Sequence, residues 1–173
     1  MNKTTLQLVI LAIILILAQA TVFNHVCLFN VAVPFVFIYV IFRLPITLSL
    51  NWVLTISFLL GLSIDIFSDT YGMNALACTL TAMIRRQVLH LYIPREDDLS
   101  STEPSMRTIG TAAYIKYLFT MTLIYCTLIS VIEAFTFFDI AGMVLRIACS
   151  TILSGLIMLG IDSLMSKRRE KRL

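Results

Sequence analysis

Two carboxylates, Asp65 and Asp69, stand one helical turn apart in the stretch GLSIDIFSDTYGMNAL, within one of the most apolar parts of the chain. An arginine, Arg146, lies inside another apolar run, and Glu133 and Asp139 bracket the turn that precedes it. Acids and bases in such surroundings can do three kinds of work. They can hold a metal or activate a substrate, they can pair with each other to join helices, or they can mark the wet ends of membrane spans. Asp65-x-x-x-Asp69 resembles a fragment of the metal-dependent lipid head-group transferases. Those enzymes need further carboxylates on adjoining turns with a D-G and an A-R step, and neither is present. A phosphate-binding Gly-rich loop, G-x-S-x-G and H-E-x-x-H are also absent from the sequence. His25 and His90 have no constellation of catalytic partners around them. No cofactor and no metal are expected, and the chain reads as non-enzymatic.

The composition decides where these residues live. The chain has 173 residues, enough for one domain, with 59% hydrophobic and only 13% charged residues. Soluble domains carry about 25% charged residues, so an integral membrane protein is expected. The net charge of +3 does not point to nucleic acid, because the bases lie between and after the apolar runs. Cys27, Cys78, Cys126 and Cys149 are isolated from one another and sit in or beside apolar segments, as small fillers would.

A membrane helix needs about 20 mostly apolar residues. Residues 5–22 qualify. Residues 28–42 are short for a span and hold Pro34 near their start. The third span runs from 46 or 51 to 67, with Trp52 as an interface anchor. Gly72 breaks the chain and Asn74 can cap the fourth helix, which extends to about residue 91. Residues 94–108 form the longest polar stretch and read as an exposed loop. The fifth span is about 112–135 and the sixth about 140–164. The division is then a six-span domain at 1–166 and a basic tail at 167–173. Lys3 with the AQA at 18–20 also has the form of a signal peptide; cleavage there would leave five spans in the same orientation.

Twelve of the thirteen Lys and Arg residues fall on one side of this arrangement, the exception being Arg146. By the positive-inside rule that side is cytoplasmic, and so are both termini. Asp65, Asp69, Glu133 and Asp139 belong to the outer side.

Counting in fours places Ser57, Gly61 and Asp65 on one face of the third span. Thr122, Cys126 and Ser130 share a face of the fifth and lead towards Glu133. Gly142, Arg146, Ser150 and Ser154 share a face of the sixth. Small residues let membrane helices approach closely, so these faces should turn inward. Asp65 then lies about 6 Å and Arg146 about 10 Å below the outer boundary, at 1.5 Å per residue. An unpaired arginine at such depth is costly, so Asp65 is its expected partner, with Glu133 the second candidate. Asp69 reads as the solvated end of the third helix, and Asp162 should pair with a nearby base at the inner end. The Phe and Tyr residues read as lipid-facing or interfacial.

The pattern Gly61, Asp65, Gly72, Asn74, Ala75, Leu76 resembles the hallmark of the MreD family, the membrane subunit of the bacterial rod-shape system. The length, the short second span with Pro34, the long loop after the fourth helix and the basic tail agree with it. The resemblance implies a scaffold in the bacterial inner membrane. Its partners would be MreC, MreB, and the elongation synthase RodA with its transpeptidase, in side-wall peptidoglycan synthesis. It also implies a likeness to the six-helix substrate-binding subunits of energy-coupling-factor transporters, so that vitamin capture is the alternative. The outer loops look too short to form a lid over a vitamin. Proton-coupled transport through Asp65 lacks a second acid at similar depth. Gly61, Asp65, Asp69, Gly72, Asn74, Glu133 and Arg146 are thus the expected outer polar cluster, holding a partner or bracing the bundle.

Overall fold

The computed structural model describes residues 3–23, 33–92, 104, 110–133 and 140–170. The polar loop at 94–108 (apart from Pro104), His25, Cys27, Asp139 and the last three residues of the tail lie outside the described residues. The described residues are all-helical. Their elements are α1 (Lys3–Ala18), α2 (Tyr39–Arg43), α3 (Leu50–Ser68), α4 (Met73–Tyr92), α5 (Thr111–Glu133) and α6 (Ile140–Glu170). α1 runs on through a π-helical turn at Gln19–Phe23. α3, α5 and residues Ala141–Met165 of α6 are long and apolar enough to cross a membrane, and Leu6–Val22 is a shorter apolar helix. α6 does not stop where the basic tail begins but continues to Glu170.

The inward faces follow the small residues. Ser57, Gly61 and Asp65 are buried along α3, Thr122, Cys126 and Ser130 along α5, and Ser150 and Ser154 along α6. Large apolar side chains such as Trp52, Leu59, Ile66, Leu91 and Leu156 face outward. That apolar outer surface suits a lipid surround. α3 and α4 form the tightest pair. A Cβ on Gly61 would stand 2.6 Å from Ala75 Cα and 2.6 Å from Asn74 O, so only glycine permits this crossing.

The second segment departs from the expected helix. Residues 33–36 form no helix, and α2 has only five residues; the hydrogen-bond partners of 33–36 alternate between two sides, the pattern of extended backbone. At 1.5 Å per residue, α2 rises about 7.5 Å, far less than a bilayer core of about 30 Å. The segment from Val36 to Phe42 is completely buried. Extended backbone in apolar surroundings leaves N–H and C=O groups without partners, so it persists only where side chains supply them. Here they do. Gln19 donates from Nε2 to Pro34 O (3.0 Å) and accepts at Oε1 from Val36 N (3.0 Å). On the other side, Val33 N donates to Ser150 Oγ (3.1 Å) and Phe35 N to Ser154 Oγ (2.8 Å). The register is geometric. Four helical residues rise about 6.0 Å and two extended residues about 6.6 Å, so serines at i and i+4 meet amides at i and i+2.

The aromatic expectation is corrected too. Tyr39, Tyr114, Tyr117, Tyr125, Phe37 and Phe42 are fully buried around this segment, rather than facing lipid. Phe35 and Phe37 meet Tyr125 edge-on, at 5.3 and 5.8 Å between ring centroids. Cys78 and Cys126 are buried free thiols in the same core, as apolar fillers would be.

Candidate functional site: a polar end of the helical assembly

α3 ends at Ser68 because Asp69 takes a left-handed conformation (φ 57°) and Thr70 N returns to Asp65 O (3.1 Å). This is the 6→1 closure of a helix C-terminus, made by an aspartate where glycine is usual. Asp69 is exposed, as expected for the end of the helix. The chain then turns through Gly72, whose φ of +78° suits a residue without a Cβ.

The expected pairing of Asp65 with Arg146 is not what the structure holds. Asp65 is 3% exposed and its carboxylate is fully engaged locally. Oδ1 accepts from Thr70 Oγ1 (2.5 Å), Asn74 N (3.0 Å) and Asn74 Nδ2 (3.0 Å), while Oδ2 accepts from Ala75 N (2.8 Å). Leu76 N bonds Gly72 O, so Gly72 is the N-cap of α4, and Asn74 and Ala75 are its second and third residues. Their amides are among the four that every helix start leaves without intrahelical acceptors. Asp65 therefore caps α4 from the end of α3, its charge set against the positive end of the helix dipole. Four donors and a dipole meet the charge without a guanidinium.

Asn74 is likewise not the cap that the sequence predicts. It is the second residue of α4, and it relays the network outward. Its Nδ2 also reaches Thr70 Oγ1 (3.3 Å), and its Oδ1 accepts from the buried Tyr125 hydroxyl of α5 (2.7 Å). Thr70 and Tyr125 were not among the expected site residues. Thr70 sits in the motif and could have been found from its spacing to Asp65, but nothing local to Tyr125 marks it.

Arg146 pairs instead with its second candidate. Its Nη1 lies 3.5 Å from Glu133 Oε2, with the two side chains 45% and 51% exposed. Both line a cavity of about 140 Å³ whose walls also include Gln19, Ser68, Thr70, Asn74, Ser130 and Ser150. The cavity gathers the C-terminal ends of α1, α3 and α5 and the N-terminal parts of α4 and α6. Of the seven expected cluster residues, Asn74, Glu133 and Arg146 line it. Asp65 and Gly61 lie behind its wall, where they hold α3 to α4.

A second polar cluster occupies the opposite end. Arg43 and Asp162 form an ion pair of 3.5 Å with both side chains 5% exposed, which answers the expected pairing of Asp162 with a base. Tyr39 OH donates to Asp162 Oδ1 (2.6 Å), as does Tyr114 OH (3.3 Å), and Arg43 Nη1 donates to Tyr39 OH (3.2 Å). Arg85, also buried, donates from Nη2 to the carbonyls of Leu44 and Phe42 at the C-terminus of α2. A cation there complements the negative end of the short helix. Arg43 and Arg85, which the sequence places among loop bases, are thus interior residues.

These features define an all-helical protein whose apolar helices can cross a membrane, with polar networks at both ends. No family model, no curated protein and no solved structure matches the chain.

Proposed function

We propose that the chain is a non-enzymatic scaffold of the bacterial inner membrane, of the MreD kind. It crosses the membrane several times, with both termini cytoplasmic and the Asp65 end outward. It holds MreC at that end, and supports side-wall peptidoglycan synthesis with MreB, RodA and its transpeptidase. The observation that carries this reading is the work Asp65 does. The acid at the heart of the motif is committed to the start of α4 and shielded from solvent. It builds a rigid corner rather than a reacting group. That corner presents Tyr71, fully exposed in the turn between α3 and α4. Tyrosine is enriched among the residues that carry the binding energy of protein interfaces. The cavity beside it, at about 140 Å³, is smaller than the 300–1,000 Å³ usual for drug-sized ligands, which disfavours vitamin capture.

The test is purification of the tagged chain from a rod-shaped host in mild detergent. MreC should co-elute, and Tyr71→Ala should lower its recovery about tenfold, the loss of one interface anchor. Depletion of the chain should round the cells. Cells that keep their shape but lose uptake of a vitamin, with that vitamin retained by the purified protein, would establish the transporter reading instead.

A further inference from the structure

The Arg146–Glu133 pair is unlike the other polar contacts of the molecule. It is held by Nη1 and Oε2 at 3.5 Å, and both side chains are about half exposed. An ion pair of this kind contributes little to stability, about 0–1 kcal/mol. The remaining donors, Nη2 and Nε, and the second carboxylate oxygen, Oε1, make no hydrogen bond among the described residues. Both groups stand on the same cavity, so a cation and an anion are offered side by side with spare hydrogen-bonding capacity. Ser130, 8% exposed, lines the same wall, and its hydroxyl makes no hydrogen bond among the described residues. Asp65, by contrast, is saturated and adds no free charge.

The cavity volume is informative. A protein cavity of about 150 Å³ holds one benzene-sized molecule, so 140 Å³ takes a small polar headgroup and not a large cofactor. An anion alone is a poor match, because Glu133 would repel it. A cation alone meets Arg146. A molecule carrying both charges meets two complementary partners at once.

We infer that this cavity binds a zwitterion with a primary ammonium group, its oxyanion on Arg146 and its ammonium on Glu133. The ammonium donates to Glu133 Oε1, and the phosphate or carboxylate accepts from Nη2 and Nε of Arg146 and from Ser130. Charge-assisted bonds of this kind are the stronger class. The existing ion pair can stay in place, since the ligand uses the atoms it leaves over. An aminophospholipid headgroup and a free amino acid share this chemistry. The position of the cavity, at the ends of helices with lipid-suited outer faces, makes the lipid the natural source. The inference stands apart from the scaffold reading and does not require MreC.

The test uses the full chain in detergent, exchanged against phosphatidylethanolamine, phosphatidylcholine or phosphatidylglycerol, with bound lipid counted by native mass spectrometry. Phosphatidylethanolamine should be retained about tenfold over phosphatidylcholine, whose quaternary ammonium has no N–H to donate. Glu133→Gln should abolish that preference, and Arg146→Gln should reduce retention of phosphatidylethanolamine itself. Arg146→Lys keeps the charge and should retain an intermediate amount, and it serves if Arg146→Gln does not fold. Binding of glycine by the purified chain without retention of phosphatidylethanolamine would assign the same site to free amino acids. Equal retention of the ethanolamine and choline lipids, with no binding of glycine, would overturn the inference. So would a preference for phosphatidylglycerol, which would make the site a simple anion site.

Discussion

Two ion pairs of equal length stand in opposite parts of this molecule. Arg43–Asp162 and Arg146–Glu133 both measure 3.5 Å. The first is sealed, with side chains 5% exposed, and the second is half open. Distance therefore does not rank them; surroundings do. In the sealed pair, two tyrosine hydroxyls bond Asp162, and Arg43 lies against the Tyr39 ring, 5.8 Å from its centroid. These contacts replace the water that both charges have lost. The open pair is half exposed on the cavity and remains available to a ligand. One end of the assembly has closed its charges into the structure, and the other has kept them on a cavity.

The largest effect should come from breaking the sealed pair. Arg43→Met leaves Asp162 buried with two tyrosines and no cation. Removing one partner of a buried pair costs about 3–5 kcal/mol. Arg146→Met should cost less than about 1 kcal/mol, because its pair is half exposed. Thermal unfolding in detergent, followed by the fraction still monodisperse on size exclusion, reads both. Equal losses would break the comparison and make the open pair structural.

Asp65→Ala should follow. It leaves the buried amides of Asn74 and Ala75 without acceptors and frees Thr70, a loss of about 3 kcal/mol given the cost of unmet buried donors. Asp65→Asn keeps one acceptor oxygen and should recover roughly half of that cost. The same unfolding assay applies, and hydrogen exchange should localise the loosening to the first turn of α4. Uniform loosening of all helices would mean that Asp65 supports the whole bundle rather than this corner.

How legible each end was in the sequence depends on how local its contacts are. Spacing alone gave the inward faces of α3 and α5 and the Ser150–Ser154 part of that on α6, where Arg146 is exposed, because small residues every four positions share one side of a helix. It also gave the end of α3 at Asp69 and the turn at Gly72. It could not give the partners. Ser150 and Ser154 were readable as a packing stripe, but their hydrogen bonds reach amides 117 and 119 residues away. Pro34 and the short apolar run looked like a weak span. What they form is extended backbone, because Gln19 and those serines satisfy it from both sides. Arg43 and Arg85 carried the sign expected of cytoplasmic bases. Sign says nothing of burial, and it took Asp162 and the carbonyls of Leu44 and Phe42 to draw them inward. Asp65 stands out in the sequence as an acid in apolar surroundings. The helix start it needed was nine residues away, nearer than the arginine that charge complementarity suggested.

The smallest expected effect is the most discriminating, because it asks whether Asp65 and Arg146 at the open end work independently. Asp65 is satisfied by Thr70, Asn74 and Ala75, and Arg146 touches Glu133, so the two share no partner. Sites without shared partners add within about 0.5 kcal/mol. In a double-mutant cycle, Asp65→Asn with Arg146→Met should therefore show a coupling below about 0.5 kcal/mol. The cycle of Glu133→Gln with Arg146→Met should show a coupling of up to about 1 kcal/mol, the worth of an exposed pair, and it should shrink as salt is raised. A coupling of about 3 kcal/mol between Asp65 and Arg146 would mean that the carboxylate and the guanidinium meet after all. The open end would then be a second sealed ion pair, and its cavity would lose the free charge on which headgroup binding depends.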